Sequence, residues 1–564
     1  MRFLLTVLVA VVYLKLSVEA ANITYNVISV TESGHTMGVL VGGKTYPLQA
    51  SETVSVLHSG TAPSGIYNYV KLDGSQGVVE QESFKRQLDK LLEATPNEFY
   101  NRSWTTQHVP ELPTLLDELP AIHRSNSTLH RRDQIATLYI SGDRKQLDLM
   151  HSNATDEVKV PVDMHLIEAD RITTVNDATI KLVGRSSRWN PKLSYSLKTP
   201  KHQDLLGFRH LKLRANALEP SAIREILCYD IMKSMGLPTS GASYVRVILN
   251  DQPVGLFLMI EPFKSNWYKN EFGGGKKLKH GQGITYHGYG GPTDLSPFAD
   301  RKDYETYYHI VQNPDKKHGP PSYDRLLDFI AFLEDAPTTA EDAAHTWNKH
   351  IDVESVIRSM VCEIIAGFQD GYLGNANNYF LYDNLAEKRF TFLAADFDNS
   401  LGAGLLKMAD TWSGNYTQYP GFAIRPLVQK LIKIPAFKSH FEHLLLKAAQ
   451  QLISPASTNP RIDGLVKMLR QDVEWDASLP RMNKGTATYE DQLGDFMADK
   501  DKMFPLADPE TVKDVVHRNR KKLPWDTLVD GPTHLLSLTG VREWFEHQSK
   551  AIQDYFEHNP PNSL

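Results

Sequence analysis

The sequence predicts an α+β protein laid out as a small all-β domain, a β-rich block with one helix set into it, and a mostly helical remainder. Three observations carry this. Short β-branched segments, punctuated by Gly, Ser and Asp, crowd residues 22–80. Between residues 137 and 261, alternating apolar patterns recur and one stretch keeps helical spacing. Beyond Glu261, helical spacing dominates. The chain has 564 residues, 41% hydrophobic, 10% aromatic and 23% charged, so it has ample core material for several domains. That composition excludes a disordered, collagen-like or disulfide-knotted protein. A formal charge of −6, with only the short basic run RNRKK at 518–522, argues against a nucleic-acid partner.

Residues 1–20 read as a secretory signal: Arg2 is the positive start, an apolar stretch follows, and Val18-Glu19-Ala20 suits cleavage. Five Asn-x-Ser/Thr sequons follow, at Asn22, Asn101, Asn126, Asn153 and Asn415, and are expected to be exposed glycosylation sites. The β-domain is expected over 21–95. A polar linker or strap is expected over 96–132, with Pro110 and Pro113 and one helical patch, LPTLLDEL. The β-rich block, 133–262, holds the expected strands ATLYIS, VPVDMHLIE, TIKLVG, LSYSLK and HLKLR. Pro220 then opens a helix with apolar residues at Ile223, Leu227, Ile231 and Met235, which Gly236 and Pro238 stop. SYVRVIL and VGLFLMIE flank Asn250-Asp251-Gln252-Pro253 as a hairpin.

The helical block is expected over 263–545, with helices at 323–333, 353–366 and 427–434 and a tail over 546–564. One hairpin interrupts it, NYFLYD with FTFLAA. Residues 270–291 hold eight glycines and Lys276, Lys277 and Lys279, and are expected to form an exposed, mobile loop containing His280 and His287. Cys228 and Cys362 are the two cysteines, expected as buried free thiols, with a bridge as the alternative. No apolar run after the signal is long enough for a membrane span, and no hydrophobic anchor tail is present. Secretion is therefore expected.

The chemistry concentrates at Asp370, the amides that follow it, the hairpin, and Asp396-Phe397-Asp398. Phosphoryl transfer needs a carboxylate to orient the attacking hydroxyl, and oxygen ligands to hold Mg²⁺ on the phosphates. Asp396 and Asp398, at i and i+2 after a strand, can aim oxygens at one hard cation; acidic turns after hairpins also occur simply as surface. Upstream, Lys198 ends a strand and Glu225 lies in the following helix, the pairing that positions phosphates in kinase-like folds. Gly184-Arg185-Ser186-Ser187 is either a phosphate-binding turn or only a turn. No GxSxG, HExxH, GxGxxG or P-loop is present.

Together these segments resemble the CotH kinases, spore-coat protein H and its relatives in mucoralean fungi. The resemblance rests on VGRSSRWNPKLSYSLK, LEPSAIREILCYDIMKSMGLP, VILNDQPVGLFLMIE and NNYFLYDN…FTFLAADFDNSLG. It implies a two-lobed atypical protein-kinase-like fold and ATP- and Mg²⁺- (or Mn²⁺-) dependent phosphorylation of Ser or Thr on secreted, spore-coat or cell-surface proteins. By motif, Asp370 is the catalytic aspartate, Lys198 contacts ATP phosphates and Glu225 pairs with it. Gly184, Ser186, Ser187 and Glu261 complete the nucleotide site, and Asp396, Asp398 and Asn378 hold the metal. Asn375 is the alternative to Asn378, because it stands five residues after Asp370. Val183 and Arg185 depart from the family's RGNS pattern, which leaves a pseudokinase open. The fungal branch also includes invasins, so the competing function is a non-catalytic adhesin that presents the basic loop to a host receptor.

Overall fold

The computed structural model describes residues 21–88, 92–153, 156–184, 186–339, 341–484, 504–520 and 523–562. The signal segment and Arg185 lie outside them. The chain divides into one unit of Met1–Thr105 with Ala169–Arg171, and a second of Thr106–Glu168 with Ile172–Leu564.

The first unit is all β. Its strands are β1 (Asn22–Ile28), β2 (Thr36–Val41), β3 (Lys44–Pro47), β4 (Gln49–Ala50), β5 (Leu57–Pro63), β6 (Ile66–Leu72), β7 (Val78–Gln81), β8 (Arg86–Gln87) and β9 (Glu98–Phe99). They form one sheet in the order β4-β5-β1-β9 and another in the order β3-β2-β6-β7, with β8 also on β6. Tyr25, Val27, Met37, Val39, Tyr67 and Tyr69 fill the core between them. Arg86 is buried and bridges Glu82 (2.6 Å) and Glu98 (3.1 Å). Such a pair is tolerated in a core because hydrogen bonds satisfy it, here including Tyr67 and Tyr69 hydroxyls donating to Glu98.

The second unit opens with the strap, which is not helical at LPTLLDEL. Its backbone bonds outward instead: Leu115 and Leu116 N–H donate to Ser234 O, and Leu119 N–H to Gly236 O. Leu112, Leu115 and Leu119 are buried. Their helical spacing therefore reflects burial along an irregular segment.

A closed barrel follows, built of β10 (Ala136–Gly142), β11 (Val160–Ile167), β12 (Ile172–Val183), β13 (Ser194–Lys198), β14 (His210–Arg214), β15 (Ala242–Leu249) and β16 (Gln252–Ile260). The order is β10-β11-β12-β13-β14-β16-β15, and β10 closes on β15 in parallel. Alternation aims Leu138, Ile140, Met164, Leu166, Ile180, Leu182, Tyr195, Leu197, Leu211 and Leu213 into its core. β12 begins seven residues before the expected TIKLVG, because its first half is polar and largely exposed. Helix α1 (Arg144–Ser152) follows β10, and α2 (Arg224–Ser234) sits between β14 and β15. Almost every residue of α2 is buried.

After α3 (Ser265–Phe272) comes β17 (Thr285–Tyr289), and here the expected mobile loop is overturned. With β18 (Tyr308–Gln312), β19 (Asn377–Asn384) and β20 (Arg389–Ala394) it forms a sheet in the order β18-β17-β19-β20, with β17 inside. Its glycines serve close approach: a Cβ on Gly283 would stand 1.8 Å from Asp383 O, and one on Gly288 2.0 Å from the Tyr379 ring. His287 is a strand residue stacked on Phe380. Only the basic turn keeps the expected exposure, at Lys276, Lys277, Lys279 and His280.

The helices are α4 (Arg301–Tyr307), α5 (Asp324–Asp335), α6 (Ala343–His350), α7 (Val353–Ala366), α8 (Tyr372–Asn375), α9 (Met408–Thr411), α10 (Pro426–Leu431), α11 (Pro435–Gln451), α12 (Pro455–Ser478), α13 (Pro509–Arg520), α14 (Trp525–Asp530) and α15 (Val541–His558). The expected tail is therefore the second half of α15, with Gln548, Ile552 and Phe556 buried. Cys228 and Cys362 are free and buried. Among the described residues no helix is long and apolar enough to cross a membrane.

Candidate functional site

Five elements bring the site together: α7, the loop carrying α8, β20, β14 and α2. Helix α7 ends at Gly367 in the left-handed conformation (φ 55°), where a Cβ would meet Trp544 at 2.3 Å. The chain then turns through Phe368 and Gln369 to Asp370. The loop carrying α8 wraps round that carboxylate: Asn375 and Asn377 N–H both donate to Gly371 O. Three side-chain amides donate to Asp370, Asn375 to Oδ1 (2.8 Å), Asn377 to Oδ2 (3.0 Å) and Asn378 to Oδ2 (2.9 Å). Burial pushes Asp370 up to about 7; the amides oppose it, and Asp398 and Asp396 reinforce it. Asn375 and Asn378, posed as alternatives, are thus both partners of Asp370, and Asn377 is a third.

The strand β20 delivers Asp396 and Asp398. Asp396 has φ +71°, a sparsely populated conformation for a residue with a side chain. The segment is tied to the Asp370 loop by Ala395 N–H to Asn378 O, Gln369 N–H to Asn399 O, and Leu401 N–H to Ala366 O. Phe397 packs on Tyr229 of α2 and on Phe368.

The barrel supplies the cations, and not from the expected residue. Arg214, at the end of β14, reaches Glu225 Oε2 through Nε (2.9 Å), and through Nη2 both Asp396 Oδ1 (2.6 Å) and Asp398 Oδ2 (2.8 Å). Lys212 Nζ adds a contact to Asp396 Oδ2 (3.0 Å). The expected Lys198–Glu225 pair is not formed. Lys198 is exposed and stands opposite His210, four residues from Arg214 along β14. At the rise of a strand that is about 13 Å, beyond the reach of a lysine to Glu225. Lys198, His210, Lys212 and Arg214 nonetheless share one face, because Leu211 and Leu213 point into the barrel. Burial, with Lys198, Arg209 and Lys264 nearby, pushes His210 down to about 4.

The charges respond accordingly. Burial works against ionised Asp396, but Arg214 and Lys212 outweigh it and hold its carboxyl well below the usual range. Burial raises Asp398, with Arg214 opposing. Burial likewise pushes Glu225 upward, to about 7, despite Arg214.

The remaining expected positions fall outside this cluster or at its rim. Glu261 is buried and spent structurally: Oε1 meets His130 Nε2 (2.9 Å) and Oε2 accepts Gly241 N–H (2.8 Å). Each of its carboxylate oxygens is thus engaged in a contact within the barrel region. Gly184 has φ +103°, and a Cβ there would collide with Ser187 Oγ. Its turn, with Ser186 and Ser187, follows β12 at the sheet end that holds Arg214, since Val183 pairs with Ser194 and Ser194 Oγ accepts Ala215 N–H. Of the sequon asparagines, Asn22, Asn101 and Asn126 are exposed, while Asn153 and Asn415 are half-buried.

The donor chemistry suits a hard cation. Four carboxyl groups (Asp370, Asp396, Asp398, Glu225) gather near two cations (Arg214, Lys212), and carboxyl oxygens are the ligands a hard cation takes. Asn375 Oδ1 and Asn377 Oδ1 are buried acceptors without a hydrogen-bond donor. Among the described residues, however, no three His, Cys, Asp or Glu converge on one ion, and Arg214 stands between Asp396 and Asp398.

Comparison with known proteins finds relatives along most of the chain. Residues 180–499 match the family model described as CotH kinase protein. The chain is 26% identical to Spore coat protein homolog 1 of Rhizopus delemar over 482 residues, 83% of this chain and 74% of that one. It is 26% identical to Invasin CotH3 of the same fungus over 499 residues, 85% and 79% of the two chains. It is 22% identical to Inner spore coat protein H of Bacillus subtilis over 300 residues, 53% and 78%.

Proposed function

Since the chain belongs to the CotH kinase family, we propose that it is a secreted, two-lobed atypical kinase that transfers the γ-phosphate of ATP to Ser or Thr of spore-coat or cell-surface proteins. The observation that carries this reading is the convergence of Asp370, Asp396 and Asp398 with the Arg214–Glu225 pair across barrel and helical elements. In this reading the barrel is the N-terminal lobe and the helical part the C-terminal lobe.

Asp370 accepts the proton of the attacking hydroxyl, its plane fixed by three amides and its pKa matched to neutral pH. Asp396 and Asp398 would hold Mg²⁺ or Mn²⁺, which supplies charge neutralisation on the phosphates. Arg214, Lys212 and Lys198 line the face along which the phosphates would lie, with the Gly184–Ser187 turn at its end. The exposed sequons and the spore-coat names of relatives support a secretory route to a coat or surface.

A second reading has its own support in relatives named invasins: a surface protein that binds a host partner through the basic turn at Lys276, Lys277 and Lys279. The two are separated by incubating purified protein with γ-labelled ATP, Mg²⁺ or Mn²⁺, and acidic or Ser-rich protein substrates. Label in the substrate or in the protein itself is expected. Absence of transfer with either cation, together with no thermal shift by nucleotide, would remove the kinase reading and leave the adhesin.

A further inference from the structure

We infer that Arg214 is a resident counter-ion, held between Asp396 and Asp398 until an anionic polyphosphate draws it off, so that the divalent cation and the polyphosphate load together. The inference rests on the kinase reading for the identity of the anion. Its geometric basis is independent of that reading. One guanidinium nitrogen, Nη2, bridges Asp396 Oδ1 (2.6 Å) and Asp398 Oδ2 (2.8 Å), the two oxygens that an i, i+2 carboxylate pair would turn to a shared ion. A divalent cation on these oxygens would be repelled by the like charge that sits within hydrogen-bond distance of both. The carboxyl oxygens gathered here are still the donors a hard cation takes, so the inference is of exchange rather than simple addition.

The chain also provides somewhere for Arg214 to act once released. His210, Lys212 and Arg214 alternate on one face of β14, and Lys198 joins them from β13. An anion lying along this face gains Arg214 as a partner at its end nearest the carboxylates. Glu225, buried on α2, holds Nε through a separate contact (2.9 Å). The guanidinium can therefore keep that anchor while its Nη2 changes partner. A lysine has no second nitrogen to do this. Arg214 is in this sense a positioning residue, and its effect is a coupling between two ligands, which is reciprocal by linkage.

The test is Mn²⁺ binding to the full-length protein, read from the paramagnetic signal of the free ion. It is measured with and without a saturating non-hydrolysable ATP analogue. Wild type should bind Mn²⁺ weakly alone and about 10-fold or more tightly with the analogue. Arg214→Gln should bind Mn²⁺ alone about 10-fold tighter than wild type and lose the analogue's enhancement. Because Arg214→Gln leaves Glu225 buried without its partner, the double variant Arg214→Met/Glu225→Gln, which removes both charges, is measured beside it with the same expectation. Unchanged Mn²⁺ affinity in both variants, or enhancement that persists in both, overturns the inference while leaving the kinase reading intact. Wild type that binds neither Mn²⁺ nor the analogue overturns both.

Discussion

Asp370 shows how one residue's environment sets its chemistry. Burial holds its carboxyl near 7 against an ordinary value of 3.8, and only the deprotonated form can accept a proton. Transfer rate should therefore fall as pH drops below about 7 and level off above it; Glu225→Gln should keep this acid limb, whereas a limb near 4 would contradict the assignment. The same shift has a stability sign. Between about 4 and 7 the folded protein binds the extra proton, so this group's contribution declines as pH rises through that window, and Asp370→Asn should flatten it. Asp370, Asp396 and Asp398 were legible in the sequence because carboxylates and amides cluster around one hairpin. The sequence does not distinguish Arg214 and Lys212 from other strand cations, although HLKLR places both opposite its leucines. The sequence offers no sign of which cation on a strand meets a helix glutamate, since that depends on position along the strand. Spacing does not point to Asn377, because it ranks neighbouring amides, whereas the loop closes all three onto one carboxylate.

At the scale of elements, alternation and caps made the barrel strands, α2, α7 and the β19–β20 hairpin readable. Glycine density predicts conformational entropy, but at β17 it has another cause. The strand needs glycines because its neighbours approach too closely for a Cβ. Gly283→Ala would press a Cβ onto the Asp383 carbonyl of the adjoining strand β19, and relieving it must shift backbone. The expected loss is about 1–3 kcal/mol by chemical denaturation; an unchanged midpoint would restore the picture of a loose loop. The strap departs from its helical expectation for a related reason: its leucines keep helical spacing, but its N–H groups are committed to carbonyls at the end of α2.

Across the whole second unit, long-range ion pairs fix the helical elements to the barrel, and no local pattern announces them. Arg246 of β15 holds Asp472 of α12 through Nε (2.6 Å) and Nη2 (2.9 Å), both side chains buried and 226 residues apart. Arg461 of α12 similarly meets Asp230 of α2. Arg224 donates to Leu401 O and Thr539 O. Removing one partner of a buried pair costs about 3–5 kcal/mol, while replacing both with apolar groups costs far less. Asp472→Ala should show that loss in denaturant unfolding, and Arg246→Met/Asp472→Leu should recover most of it. Equal losses in both would mean that packing, not the uncompensated charge, dominates. Site and scaffold are linked here, because α2 carries Glu225 and is itself held by these contacts.

The central claim is that Asp370 acts on the nucleophile while Asp396 serves the metal-bound nucleotide. It is tested most directly by measuring nucleotide binding and phosphate transfer side by side in Asp370→Asn and Asp396→Asn. Asp370→Asn should bind the ATP analogue with Mg²⁺ as wild type does, and lose transfer by about 10²–10⁴-fold. Asp396→Asn should lose the Mg²⁺-dependent part of binding itself. Identical behaviour of the two variants in both assays, or wild-type transfer by Asp370→Asn, would contradict the account.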